Sequence, residues 1–185
     1  QVIDFYYHAK PVPEKSVLIT FADAYNSVLL FAYPVLKKYN FHAVCFVVSG
    51  WLFEESREYT GEYSVCMSRD ELFSMDDVFE YGNHTDLLHT RKGLRTALLT
   101  EDKDTVLKDL SKCEAIANTR KIFAYPFGIY SKENIDWLKE FGILLAFTSK
   151  DGFNTRETNP LELCRNVCRL EYSIYDFARM LEVHV

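Results

Sequence analysis

Three ionisable side chains have the types and spacing of a hydrolytic metal site: Asp23, His84 and His89. Asp23 closely follows the apolar run at residues 16–21, and α/β folds place their chemistry at the carboxyl ends of such strands. A carboxylate there is costly to bury unless a cation, a proton or hydrogen-bond donors satisfy it. Neutral imidazoles and a carboxylate are the usual ligands of a catalytic zinc or related divalent ion.

The spacing of the two histidines limits the backbone that can bring them together. Five residues of α-helix turn through roughly 500°, so His84 and His89 would lie about 140° apart on a helix. The helical His-x-x-x-His arrangement of zincins is therefore excluded, and convergence requires an irregular strand end. Two alternatives stay open. One is that Asp23 or Asn26 caps the following helix. The other is that each histidine lies on the surface, or is partly buried with its hydrogen bonds satisfied.

The elements that must position these residues alternate along the chain. Continuous apolar and β-branched runs predict strands at residues 16–21, 42–49, 79–84, 121–125, 143–147 and 167–170. Helical spacing predicts helices at residues 26–39, 68–76, 101–118, 132–141 and 173–182. This alternation is typical of parallel βα units, so the predicted fold class is α/β, with a barrel-like sheet favoured over an open one.

Local signals predict where the helices begin, bend and end. Ser68 opens a capping box, and Thr100 and Ser131 are expected N-caps. Pro34 lacks a backbone N–H and is expected to kink the first helix. Gly142 occupies the position after a helix that glycine favours.

Composition limits the class of protein. A length of 185 residues predicts one domain over residues 1–185, in which residues 1–15 are a lead-in broken by prolines. The net charge of −6 argues against a nucleic-acid partner, because phosphate binding favours a basic surface. No apolar run approaches the roughly 20 residues that span a bilayer, and no signal peptide is evident. The five scattered cysteines indicate no disulfide framework.

Three stretches of the chain carry these residues in a recognisable order. They read Thr20-Phe21-Ala22-Asp23-Ala24-Tyr25, Gly82-Asn83-His84-Thr85 continuing to His89, and Phe123-Ala124-Tyr125-Pro126-Phe127-Gly128. In order and spacing they resemble three motifs of the polysaccharide deacetylases, carbohydrate esterase family 4. The histidine spacing and the Ala-Tyr-Pro-Phe-Gly form are similar to the branch that deacetylates poly-β-1,6-N-acetylglucosamine. The resemblance implies a distorted or incomplete (β/α) barrel of the polysaccharide deacetylase type.

The resemblance also implies a function, which is metal-assisted removal of N-acetyl groups from a polysaccharide or oligosaccharide at an extracellular or cell-surface location. Asp23, His84 and His89 would bind one divalent ion, with zinc first and cobalt or nickel as alternatives. In the family the ion polarises the acetyl carbonyl, a carboxylate takes a proton from water, and backbone N–H groups, here that of Phe127, hold the oxyanion. The aromatic residues expected either to wall a sugar groove or to pack are Tyr125, Trp51 and Phe153.

The chain departs from the family pattern where the catalytic base should stand. The family has two adjacent aspartates followed by glycine, whereas Ala22 and Ala24 occupy the first and third positions here. A methyl group accepts no proton, and loss of a general base commonly removes about 10² to 10⁴ of rate. Asp86 is the nearest alternative base in sequence, and Ala124 stands where many relatives have an arginine that orients the base.

Three hypotheses fit these departures. The chain is a metal-dependent deacetylase with lowered or rescued activity, or it is a non-catalytic relative that binds a metal and a glycan. The third is that Ala22 was introduced to trap a substrate, and Ala24 argues against it because one change would suffice. The late leucine-histidine motif of the family is not matched, although His184 lies near the end of the sequence.

Overall fold

The computed structural model describes residues 1–62 and 64–181. Its strands are β1 (Ile19–Ala22), β2 (Ala43–Val47), β3 (Phe79–Asn83), β4 (Arg91–Lys92), β5 (Arg95–Thr96), β6 (Ile122–Ala124) and β7 (Leu145–Phe147). Five of them form one parallel sheet in the order β1-β2-β3-β6-β7, while β4 and β5 form a separate antiparallel hairpin. In the described residues β1 and β7 remain the two edges, which confirms the expected incomplete α/β barrel.

Helices connect the strands. They are α1 (Val2–Tyr7), α2 (Tyr33–Lys38), α3 (Arg69–Phe73), α4 (Ala97–Thr100), α5 (Lys103–Ala117), α6 (Lys132–Phe141) and α7 (Ile174–Met180). A π-helical segment, Val28–Ala32, precedes α2, because Pro34 cannot donate the hydrogen bond of a regular α-helix there. Across residues 1–62 and 64–181, every helix is too short or too polar to cross a bilayer.

The central strands are buried on both faces. All five residues of β2 are buried, as expected for a continuous apolar run between two parallel neighbours. One face of the sheet packs around Phe46 and Phe147, and the first residues of α1 cover part of it. The prediction that residues 1–15 lack regular structure is therefore wrong. Helix α1 is held to the body by hydrogen bonds of 2.9 Å from the Tyr6 and Tyr7 hydroxyls to carbonyls of the chain.

Most predicted helix ends are confirmed. Ser68 and Ser131 each form a capping box, and Gly142 ends α6 with a φ of 91°, in the left-handed region that glycine enters without strain. Thr100 is not the cap of α5, because it lies in the separate short helix α4. Asp102 is the cap instead, and its carboxylate accepts the Thr105 N–H.

The last predicted strand is misplaced. Residues 167–170 are irregular, and Leu170 is 92% exposed. The chain pairs with β7 slightly earlier, through a parallel bridge between Leu163 and Phe147. The end of the last predicted helix, Glu182, and the histidine near the terminus, His184, lie outside the described residues.

Candidate active site

Asp23, His84 and His89 converge at the carboxyl edge of the sheet. Asp23 follows β1, His84 follows β3, and His89 lies before the β4–β5 hairpin. Parallel strands end at the same edge, so residues distant in sequence meet there. The Nε2 atoms of His84 and His89 each lie 3.6 Å from Oδ1 of Asp23, and one ligand atom from each residue lies within 4.8 Å of the others.

Irregular backbone produces this convergence, as the histidine spacing requires. Asp23 has a φ of 72° and Thr85 a φ of 76°, both in the left-handed region that non-glycine residues rarely adopt. The Asp23 N–H donates to Phe46 O at 2.8 Å, and the His84 N–H donates to Val47 O at 3.0 Å. These bonds fix both turns to strand β2. The alternative that Asp23 is a helix cap does not apply, because Ser27 occupies the cap position.

A hydrogen bond at the far side of the ring orients His84. Its Nδ1 lies 2.7 Å from Ala124 O, and a carbonyl can only accept, so Nδ1 carries the proton. Nε2 is then left with a lone pair directed at Asp23, which is the tautomer that a metal ligand needs. Aromatic contacts hold His89. The centre of its ring lies 4.8 Å from the centre of the Trp51 ring and 4.4 Å from the centre of the Phe127 ring.

Burial sets the charges of the three side chains. It lowers the pKa of His84 to about 3, with the neighbouring His89 adding to the effect. Burial also lowers the pKa of His89, although the charge of Asp23 opposes this, and it raises the pKa of Asp23. Both imidazoles are therefore neutral near pH 7, as metal coordination requires.

The donor set fits a divalent ion. Oδ1 of Asp23 is buried, and in the described part of the chain it has no hydrogen-bond partner. An unsatisfied buried carboxylate oxygen is costly, and a cation removes that cost. Ligand atoms at about 2.1 Å from a tetrahedral zinc ion lie about 3.4 Å from one another, close to the 3.6 Å found here. The structure thus contains a possible metal site.

A cleft of about 430 Å³ opens above this site. Its lining residues are Ala22, Asp23, Tyr25, Trp51, His84, His89, Tyr125, Phe127, Gly128, Ser149 and Arg165. Phe127 has a φ of 58° and Gly128 a φ of 68° in the tight turn after β6. A Cβ at Gly128 would collide with Ser149 Oγ, so glycine allows the turn to approach the neighbouring chain.

The three aromatic residues expected either to wall a sugar groove or to pack have different surroundings. Tyr125 is fully buried, donates its hydroxyl to Leu161 O at 3.0 Å and stacks on Tyr130 at 4.2 Å. The packing alternative therefore describes its ring. Phe153 is 58% exposed and does not line the cleft. Trp51 lines the cleft beside His89.

Asp86 does not reach the cleft, so the structure does not bring it into the position of a substitute base. Its Oδ1 accepts the Ser49 hydroxyl at 2.7 Å, and its Oδ2 lies 2.6 Å from Lys112 Nζ. The backbone N–H of Asp86 also donates to Asp109 at 2.7 Å. Both carboxylate oxygens are occupied, so this residue is structural.

Arg165 is a residue of the cleft that the sequence does not predict. Its guanidinium lines the cleft, and its Nε is buried with no hydrogen-bond partner in residues 1–62 and 64–181. Burial lowers its pKa, and the charge of Asp23 opposes the shift. Its neighbours in sequence have no apolar pattern that separates it from an ordinary surface arginine, so only the path of the chain reveals it.

Comparisons with known proteins agree with this geometry. The staphylococcal poly-β-1,6-N-acetyl-D-glucosamine N-deacetylases of Staphylococcus aureus MSSA476 and Staphylococcus epidermidis ATCC 35984 are 29% and 28% identical to this chain over 172 and 161 residues. The alignments cover 88% and 83% of this chain but only 58% and 54% of those proteins. The chain thus spans little more than half the length of these relatives.

A solved structure and a family profile extend the comparison. The structure of IcaB from Ammonifex degensii superposes with a TM-score of 0.80 at 25% identity, covering 98% of this chain and 79% of that one. The profile described as polysaccharide deacetylase matches residues 9–146, well over half of the 185 residues. The chain therefore belongs to the polysaccharide deacetylase family.

Proposed function

We propose that this chain binds one divalent ion and removes N-acetyl groups from an N-acetylglucosamine polysaccharide, at a rate lowered by Ala22. The observation that carries the proposal is the buried, unpartnered Oδ1 of Asp23, 3.6 Å from two imidazole nitrogens. The names of the staphylococcal relatives support the substrate class. The same similarity favours a polysaccharide at the cell surface or outside the cell.

The residues of the cleft have separable roles in this proposal. Asp23, His84 and His89 would hold the ion, zinc first and cobalt or nickel as alternatives. A bound ion of this kind polarises a carbonyl and lowers the pKa of water. Ala124 O holds the proton of His84 on Nδ1 and so keeps Nε2 free. The Phe127 N–H is the expected donor to the oxyanion that develops on the acetyl group.

The proposed rate is low because the cleft lacks a proton acceptor beyond the expected ligands. Ala22 lines the cleft with a methyl group, and Asp23 is the acidic residue among the lining residues. Asp86 is already paired with Ser49 and Lys112. Without a base, the water molecule must lose its proton to solvent, which is slower.

Acetate release from β-1,6-linked N-acetylglucosamine oligomers tests this proposal. With Zn²⁺, Co²⁺ or Ni²⁺ present, we expect slow release by the native chain and about 10² to 10⁴ faster release by Ala22→Asp. Ala115→Asp adds the same carboxylate on an exposed part of α5 and should leave the rate unchanged. If zinc is bound and both the native chain and Ala22→Asp release no acetate, the proposed function is contradicted.

A second candidate is a non-catalytic relative that binds a metal and a glycan. It is favoured by the same observation, since Ala22 lacks a base and Asp86 cannot replace it. The two candidates differ in one result. A native chain that binds zinc and oligomer but releases no acetate, beside an active Ala22→Asp, supports the binding protein.

A further inference from the structure

Arg165 adds a positive charge to the cleft, where Asp23 is the acidic lining residue. Its Nε is buried and unpartnered in the described residues, and its guanidinium carbon lies 5.6 Å from the centre of the Phe46 ring. A buried guanidinium normally has a carboxylate or several acceptors as partners, because an unpaired buried charge is costly. This arginine, which lines the cleft, therefore has unused donor capacity.

Ala22 and Arg165 line the same cleft. Ala22 pairs with Phe46 in the parallel ladder of β1 and β2, so the two side chains point to the same face of the sheet. Both belong to the same packed cluster. Neighbouring strands lie about 4.8 Å apart, so Ala22 is close to Phe46, over whose ring the guanidinium of Arg165 lies. At this position in the cleft lining, the methyl group of Ala22 occupies less volume than the carboxylate side chain of the family pattern would.

The backbone fixes Arg165 at this place. Its N–H donates to Lys150 O at 2.9 Å, and two residues earlier Leu163 forms the bridge with Phe147 of β7. The segment thus continues the edge of the sheet, and the arginine is positioned by strand pairing. A pre-positioned guanidinium binds a planar carboxylate through two parallel hydrogen bonds at little cost in side-chain entropy.

The charges of the cleft favour an added anion. The proposed divalent ion contributes two positive charges, Arg165 adds one, and Asp23 removes one. Among the lining residues Asp23 is the acidic one, so two positive charges stay uncompensated. A singly charged anion of small size would lower this imbalance and pair with the free donors of Arg165.

We propose that Arg165 and Ala22 form a binding site for a small monocarboxylate such as formate, which supplies the proton acceptor that the chain lacks. This inference rests on the proposed function and extends it. The bound carboxylate takes one proton from water as the water oxygen bonds to the acetyl carbon. When the C–N bond breaks, that proton passes to the leaving nitrogen. Formate is regenerated, and acetate and the sugar amine are the products.

Formate binding tests the site without any turnover. We would titrate ¹³C-formate into zinc-loaded and metal-free protein and follow its NMR line width. Arg165→Gln should weaken binding by about tenfold or more, and Arg165→Lys, which keeps the charge, should weaken it less. Ala22→Asp should also abolish binding, since its own carboxylate would fill the site. Arg179→Gln, an exposed arginine on α7, is the matched control and should bind as the native chain does.

The outcomes separate this site from the proposed function. Equal formate binding by the native chain, Arg165→Gln and Ala22→Asp would overturn the site, because the ion alone would then bind formate. Formate should raise acetate release by the native chain and leave Ala22→Asp unchanged. If no variant releases acetate but binding depends on Arg165, the function fails and the site stands. If Ala22→Asp is active and formate binding ignores Arg165, the function stands and the site fails.

Discussion

Two aspartates follow strands of the same sheet that both pair with β2, yet their surroundings are opposite. Asp86, after β3, is 1% exposed, and both of its carboxylate oxygens are paired, with Ser49 and Lys112. Asp23, after β1, has one buried oxygen with no hydrogen-bond donor in the described residues, facing two neutral imidazoles. Position at the carboxyl edge is shared, so position alone does not identify a ligand.

The difference lies in which groups satisfy each carboxylate. A buried carboxylate that is fully paired with protein donors stabilises the fold and has no capacity for a ligand. A buried carboxylate left unpaired beside lone pairs costs free energy until a cation or proton binds. We therefore expect changes around Asp23 to alter metal binding and changes around Asp86 to alter stability.

Removal of an imidazole beside Asp23 should have the largest effect. We expect His84→Ala to weaken zinc binding by more than about 100-fold, beyond the 10- to 100-fold typical of losing an outer-shell partner. Zinc content after dialysis and competition with a chelator would measure this. His42→Ala removes an exposed histidine and should keep the native affinity. Equal zinc affinity of His84→Ala and the native chain would remove the distinction between the two aspartates.

Removal of the charge of Asp86 should instead destabilise the fold. Asp86→Asn weakens the hydrogen bond from Ser49 and loses the ion pair with Lys112, so we expect a loss of about 1–3 kcal/mol in the free energy of unfolding. Lys112 is partly exposed, which keeps the loss below that of a fully buried pair. Urea unfolding measures it, with the exposed Asp136→Asn as control. Zinc stoichiometry should stay native; its loss would contradict a structural role.

The pH dependence of the free energy of unfolding of the metal-free protein tests whether the imidazoles beside Asp23 are neutral. Burial lowers the pKa of His84 from 6.5 to about 3, so between these values the unfolded chain binds a proton there that the folded chain does not. The free energy of unfolding should therefore fall as pH falls below 6.5, by at most about 1.4 kcal/mol per pH unit for this group. Asp23, with a raised pKa, acts in the opposite direction at lower pH, because the folded chain protonates it first.

Urea unfolding of metal-free native chain and His84→Ala, from about pH 7 to about pH 5, would measure this slope. The native chain should lose more stability than the variant over that interval, because the variant lacks the group that titrates. Parallel pH profiles for the two proteins would show that His84 is not buried as a neutral imidazole.

Local sequence was sufficient for the parts of the fold that local forces determine. The apolar run around Ala43–Val47 predicts a buried strand because every residue in it prefers burial. Ser68 and Ser131 predict helix starts because a hydroxyl satisfies N–H groups three residues away. Asp23 and the two histidines could be selected because strand ends and histidine spacing are readable along the chain.

Tertiary structure alone decided which of these side chains meet and which are already paired. Asp86 could not be excluded as a base from sequence, because Lys112 reaches it from α5, more than 20 residues later in the chain. Arg165 has no local signal, because its place over Phe46 depends on how the chain after β7 returns along the sheet. Hydrophobic pattern and capping act over a few residues, whereas satisfaction of a buried charge depends on groups that the folded path brings from anywhere.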